Sequence, residues 1–80
     1  MARVRLHNLT DVETPQLRAK KAVNTTVVVW TWLVSPGNSV EVEDSADIRQ
    51  RAQPFVSDGM LSVGQPPAAY LKAKAAQKRG

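Results

Sequence analysis

The first hydrophobic pattern along the chain alternates. In residues 2–10, Val4 and Leu6 fall on one side of an extended backbone, whereas Arg3 and Arg5 fall on the other. Because side chains of a strand point to opposite faces in turn, this pattern is typical of a half-buried strand. We therefore predict the first strand here.

The densest apolar stretch covers residues 24–34, where β-branched and aromatic side chains favour a second strand. Residues 35–38, with the sequence Ser-Pro-Gly-Asn, predict a turn, and residues 39–44 alternate valine with acids and predict an antiparallel return strand. In a tight turn, the tryptophans of one strand face the glutamates of the other. A longer or bulged loop shifts the pairing by one residue and places the tryptophans over valines. Both registers remain open.

Two helices follow from local signals. Ser45 is a favourable N-cap, so a helix of about two turns is expected over residues 46–52, ending before Pro54. A turn and a short closing strand at residues 60–63 come next. Two prolines then begin a C-terminal helix within residues 66–80, which are rich in strong helix formers.

These elements predict the fold class and the domain organisation. We expect a mainly β (α+β) fold, built as a small antiparallel sheet or sandwich with a short central helix and a C-terminal helix. Residues 1–65 would form a small β-rich domain with a loop or arm at residues 10–25, and residues 66–80 a basic helical tail. So long an irregular segment is unusual inside a compact domain and favours an interaction role.

Trp30 and Trp32 stand two positions apart in the predicted second strand. Alternation would direct both, together with Val34, to one face of that strand, and the opposite face is apolar too. In one interpretation the chain itself covers the tryptophans as part of its core. In the other they lie against another protein, because tryptophan is enriched at interface anchors and a chain of 80 residues has little material to cover two faces. Trp30, Trp32 and Val34 are then the apolar contact candidates.

The net charge of +4 is divided unevenly along the chain. Residues 1–21 hold five bases and two acids, residues 22–65 two bases and five acids, and residues 66–80 four bases and no acid. The basic ends of one copy could therefore lie on the acidic middle of the next and set the register of an array. Nucleic-acid binding would use the same bases, but Tyr70 is the only aromatic residue near the tail. The polar contact candidates are Arg3, Arg5, Lys20, Lys21, Tyr70, Lys72, Lys74, Lys78 and Arg79.

The composition argues against disulfides, metal or cofactor sites and catalysis. With no cysteine and one histidine, the chain offers neither a disulfide framework nor a thiolate metal site, and no cofactor or metal is expected. Asp44, Asp47 and Asp58 match no calcium loop and are better explained by helix capping and a turn. No pattern resembles a nucleophile with its base, so we do not expect an enzyme. The longest apolar run is too short to span a bilayer, and no secretory signal is visible, so we expect a soluble, non-secreted protein without membrane contact.

The middle of the chain carries one resemblance. The stretch VSPGNSVEVED, followed by ADIRQRAQ and FVSDGMLSV within residues 27–63, resembles small β-rich structural proteins of tailed phages. The resemblance implies a virion protein, assembled in the host cytoplasm, that decorates or cements a capsid or sits at the neck or tail. It would bind major capsid or other virion proteins, and further copies of itself, without catalysis. The alternative from another class is a small basic nucleic-acid-binding protein.

Overall fold

The computed structural model describes residues 2–78 as an α+β fold, 36% helical and 26% strand. The predicted class is confirmed: these residues form antiparallel sheets of three and two strands, a central helix and a C-terminal helix. In chain order the elements are β1 (Arg3–Asn8), α1 (Pro15–Ala19), β2 (Val27–Val29), β3 (Trp32–Val34), β4 (Ser39–Glu43), α2 (Ala46–Ser57), β5 (Leu61–Val63) and α3 (Ala68–Lys78).

The first strand forms the centre of a three-stranded antiparallel sheet. The strand order is β4-β1-β5, and Val4 lies opposite Val42 while Leu6 lies opposite Val40. The predicted half-buried strand is therefore confirmed: Leu6 is buried, and Arg3 and Arg5 are exposed. Burial of one face fixes the register, because a slip of one residue would turn every apolar side chain to the solvent.

The predicted single strand over residues 24–34 is wrong, because the chain reverses within it. β2 and β3 form a tight hairpin joined by Trp30 and Thr31, with Val29 opposite Trp32. Trp30 has a φ of 54°, a positive value at the first turn position that matches the twist of a hairpin. The reversal lets both arms of the hairpin bury valines on the same core face.

The predicted pairing across the Ser-Pro-Gly-Asn segment is wrong as well. The turn itself is present, with Asn38 N donating to Ser35 O at 3.0 Å and Gly37 at a φ of 78°. It does not join two paired strands, however, but carries the chain from β3 to β4, which pairs with β1. Neither of the two registers expected from the sequence is therefore formed.

α2 begins as predicted and ends later. The Ser45 hydroxyl accepts a hydrogen bond from Ile48 N at 3.2 Å, which is the expected N-cap. The helix then continues through Pro54 to Ser57, so the prediction that it ends before the proline is wrong. Pro54 is exposed, and the carbonyl of Gln50 that loses its partner lies on a residue that is exposed to water.

A short helix, α1, lies inside the segment that was predicted to be irregular. The Thr14 hydroxyl caps it by accepting from Leu17 N at 3.3 Å, and Pro15 occupies the first turn. Leu17 is buried in the core. The segment therefore packs against the domain with an apolar side chain.

The buried side chains form two clusters. The main core lies between the sheet, the hairpin and α2 and contains Leu6, Leu17, Ala22, Val27, Val29, Val42, Ile48, Ala52, Met60 and Leu61. A second, smaller cluster joins α3 to the segment after β1 and consists of Leu9, Val12 and Tyr70, with Ala73 packed against it. The C-terminal helix is thus held by a few side chains at one end of the molecule.

Candidate protein interaction surface

The outer face of the β2–β3 hairpin is apolar and exposed. Val28 and Leu33 lie directly opposite each other in the hairpin and are 47% and 65% exposed. Trp30, in the connecting turn, is 58% exposed. We call these three residues, Val28, Trp30 and Leu33, the hairpin patch.

The patch is a consequence of the hairpin's alternation. Val27, Val29 and Val34 point to the core and are fully buried, so the residues between them must point outward. The hairpin is a sheet of only two strands, and its outer side chains remain exposed on the described chain. Three large apolar groups therefore face the solvent on a backbone that the core holds in place.

Trp32 lies on the opposite side of the hairpin from Val28 and Leu33. It shares the face of Val29, yet it remains 39% exposed because it stands at the tip, beyond the core valines. Beside it lies a cavity of about 420 Å³ between the hairpin tip, β1 and β4. We call this cavity the tip notch, and its lining residues are Ala2, Arg3, Trp32, Glu41, Val42 and Glu43.

The structure separates the three apolar candidates proposed from the sequence. Trp30 and Trp32 are both exposed, which contradicts the interpretation as a core pair, but they do not share a strand face. Val34 is 0% exposed and is removed from the candidate surface, because the reversal at Trp30 turns it into the core. The sequence interpretation missed Val28 and Leu33, which alternate outward only once the turn is placed correctly.

The basic candidates near the N-terminus are paired with acids of the same chain. Arg3 and Arg5 lie 3.5 Å and 3.6 Å from the carboxylate oxygens of Glu41 on the neighbouring strand. Lys20 Nζ lies 3.2 Å from Asp58 Oδ1. The basic first block and the acidic middle block thus meet within one molecule. Lys21, also a candidate, is exposed and has a φ of 54°.

The C-terminal candidates fall into two groups. Tyr70 is buried, its hydroxyl donates to Asp11 Oδ1 at 2.8 Å, and Lys74 Nζ lies 3.1 Å from Asp11 Oδ2. Burial and the Asp11 hydrogen bond raise the pKa of Tyr70, and the Asp11 and Tyr70 hydrogen bonds raise the pKa of Lys74. These two side chains therefore anchor α3. Lys72 is exposed, while the side chain of Lys78 and the whole of Arg79 lie outside the described residues.

The acids considered for a cation site take part in ion pairs. Arg49 donates to both carboxylate oxygens of Asp44, at 2.6 Å and 3.0 Å, and this hydrogen bonding lowers the pKa of Asp44. Asp47 lies 3.2 Å from Arg51. Over residues 2–78, no cluster of three or more His, Cys, Asp or Glu side chains could hold a metal ion. In the same part of the chain, no helix has the length and apolar character needed to cross a membrane.

Comparison with protein-family models, with curated proteins and with solved structures finds no match to this chain. The functional argument therefore rests on the geometry of the hairpin patch.

Proposed function

We propose that this chain is a structural interaction protein that binds another protein through the hairpin patch and acts without catalysis. The observation that carries the proposal is the exposure of Val28 and Leu33 side by side on one hairpin face, with Trp30 at its tip. A contiguous apolar surface on a small domain is typical of a contact site.

The energetics of the patch suit binding. Full burial of one aliphatic side chain contributes about 1.5 to 3 kcal/mol, and aromatic side chains are frequent anchors of interfaces. The backbone beneath the patch is already ordered, because the inner valines of the hairpin are packed in the core. Binding would therefore cost little ordering of the chain, and the apolar gain is set mainly against the translational and rotational freedom lost on association, about 4 to 15 kcal/mol.

For the assembly itself, we propose a phage particle. The support is the resemblance of residues 27–63 to small structural proteins of tailed phages, and the partner would be a major capsid or other virion protein. A contact of three apolar side chains is small, but copies that also contact one another would gain avidity on a repeating shell, because a bound copy holds its neighbour at high effective concentration beside the next site.

Nucleic-acid binding is the competing function, and the ion pairs weigh against it. Phosphate contacts draw much of their free energy from the counterions that the nucleic acid releases when lysines and arginines neutralise its phosphates. In this chain Arg3, Arg5, Lys20 and Lys74 already lie beside carboxylates of the same molecule. Binding to phosphate would have to compete with these pairs.

Replacement of one patch residue tests the proposal. A tagged chain is produced in its native cells, and large particles are isolated by density-gradient centrifugation and viewed by electron microscopy. We expect the unchanged chain to be found in the particles at a constant number of copies per particle. The Leu33→Asp chain should remain in the low-mass fractions, because a charge cannot be buried at the contact without a partner. Gln50→Asp, on an exposed position of α2, is the matched control and should remain with the particles.

Two results would overturn the proposal. One is the absence of the unchanged chain from any large particle. The other is a measurable affinity of the purified chain for duplex DNA that falls steeply as salt is raised, which is the behaviour of a nucleic-acid-binding protein.

A further inference from the structure

We propose that copies of this chain exchange α3, so that α3 of one copy docks on a second copy with the same contacts that it makes within its own chain. The docking site consists of Leu9, Asp11 and Val12 in the segment after β1, and we call it the α3 dock. The inference goes beyond the proposed function, because it concerns a contact between copies and uses no residue of the hairpin patch.

The α3 dock fits two side chains of α3. Tyr70 packs on Leu9 and Val12 in a buried cluster, and its hydroxyl donates to Asp11 Oδ1 at 2.8 Å. Lys74 Nζ, one helical turn further along, lies 3.1 Å from Asp11 Oδ2. Two apolar side chains beside a carboxylate thus receive an aromatic ring beside a lysine. The occupant of the dock is therefore known, and every copy of the chain carries it.

α3 is held by little else. Tyr70 is the only buried residue of α3 among those whose side chains the structure describes, and the main core contains none of them. A helix of eleven residues is marginal in water by itself, so α3 depends on the dock for its stability. Segments that are held by so few buried contacts open at a low free-energy cost while the rest of the domain stays folded.

The connection between β5 and α3 has the character of a hinge. The sheet ends at Gly64, whose N donates to Arg5 O at 2.8 Å. A Cβ added at Gly64 would meet no heavy atom within 4 Å, so packing does not constrain the torsions of this glycine. Pro66 and Pro67 follow, and two consecutive prolines keep the backbone extended and stiff. An α3 that has left its dock is therefore carried on a stiff spacer, which hinders its return and favours a neighbouring dock.

Exchange preserves the contacts of α3. Two copies that exchange α3 reciprocally form a closed pair with two-fold symmetry, in which both docks are occupied as in the single chain. The free energy of docking therefore cancels between the monomer and the pair, and the balance is set by the protein concentration and by the hinge. On a repeating shell, neighbouring copies have a high effective concentration, so exchange would join them there.

Charge complementation between two variants provides the first test. Asp11→Lys and Lys74→Asp each bring like charges together at the dock of their own chain. In a mixture, exchange of α3 places opposite charges at both docks. By sedimentation, we expect the unchanged chain to dimerise at high concentration, and the mixture to associate about tenfold to hundredfold more strongly than either variant alone. Asp47→Lys mixed with Arg51→Asp is the matched control, because that ion pair lies within α2 and exchange of α3 does not restore it.

Cross-linking provides the second test and leaves the ion pair at the dock intact. The chain has no cysteine of its own, and Glu13 and Gln77 are exposed side chains that line one cavity between α3 and the segment after β1. Copies with Glu13→Cys are mixed at high concentration with copies with Gln77→Cys and treated with a short bis-maleimide. We expect covalent dimers of one copy of each kind. Few should form when Glu43→Cys, opposite Arg3 at the beginning of β1, replaces Glu13→Cys.

Three results would overturn the proposal: an unchanged chain that is monomeric at all concentrations, a mixture that associates no more strongly than either variant alone, or equal cross-linking through Glu13→Cys and Glu43→Cys. Thermal unfolding checks that each variant is folded, and the cross-linking test decides if a charge variant is not. Failure of the proposed function is a separate outcome, because Leu33→Asp changes the hairpin patch and leaves the α3 dock and α3 intact.

Discussion

Asn8 Nδ2 donates a hydrogen bond of 2.7 Å to the carbonyl oxygen of Val34, which joins the central strand of the sheet to the hairpin. The same nitrogen donates to Thr25 O at 2.9 Å, and Asn8 Oδ1 accepts from Thr10 N at 2.8 Å. One buried amide thus ties β1 to both ends of the hairpin that carries the hairpin patch. The position of the patch depends on this connection.

Replacement of Asn8 should destabilise the domain strongly. Asn8→Ala removes the side-chain donor of Val34 O and the acceptor of Thr10 N, whereas Thr25 O keeps the Thr10 hydroxyl as a donor. Unsatisfied buried polar groups cost about 1 to 3 kcal/mol each. We expect the free energy of unfolding in urea to fall by about 2 to 4 kcal/mol. Asn38→Ala, at an exposed asparagine, should change it little. Equal stabilities of the two variants would contradict the connecting role of Asn8.

Two valines of the hairpin test which face is buried. Val34→Ala removes methyl groups from the core and should lower the free energy of unfolding by about 2 kcal/mol. Val28→Ala makes the same change on the outer face and should cost less than about 0.5 kcal/mol. Chemical denaturation of both variants gives the comparison, and a larger loss for Val28→Ala would show that the faces are assigned the wrong way round.

Trp30 occupies a backbone conformation that glycine adopts more readily. Its φ of 54° lies in the left-handed region, which a β-branched residue strongly resists. We expect the free energy of unfolding of Trp30→Gly to lie within about 1 kcal/mol of that of the unchanged chain. That of Trp30→Val should be lower by a further 1 to 2 kcal/mol or so. Thermal unfolding measures both. In a continuous strand the order would be reversed, so a more stable Trp30→Val would refute the turn.

Tyr70 holds α3 through its ring and its hydroxyl. Tyr70→Phe keeps the ring but removes the hydrogen bond to Asp11, which should weaken docking by about 1 kcal/mol. Amide hydrogen exchange should then become faster in α3 and stay unchanged in β1. Ala75→Gln, at an exposed position of the same helix, is the control and should not alter exchange. Protection of α3 that is the same in all three chains would exclude an anchoring role for the hydroxyl.

His7 should make stability dependent on pH. Its pKa is lowered from the ordinary value of 6.5 by burial and by the charge of Arg5, so the folded chain binds the proton less tightly than the unfolded chain. The stability is therefore complete above pH 6.5 and decreases as the pH falls below it. His7→Gln should lose less stability between about pH 7.5 and about pH 5.5. An identical loss in both chains would show that other groups cause it.

Much of the fold follows from short-range signals. The alternation of residues 3–8 and 39–43, the Ser45 cap and the prolines before α3 each produced the expected element. Such signals can be recognised in the sequence because the residues that determine each element lie within a few positions of one another. The turn at Trp30 and Thr31 has no such signal, since neither is a residue that turns favour. α2 passes through Pro54 because the carbonyl that loses its partner there can face water.

By itself, the sequence determined the α+β class, the strands β1, β4 and β5 and the two larger helices, and it singled out a tryptophan-rich segment as the candidate contact. Only the tertiary structure decided that Val28 and Leu33 face outward while Val34 lies in the core, and that Arg3 and Arg5 are paired with Glu41. The reason is that strand pairing joins residues distant in the chain: β1 lies between β4 and β5, and this choice depends on which arrangement buries the most apolar surface. A short stretch of sequence therefore does not show which strand pairing buries the most apolar surface.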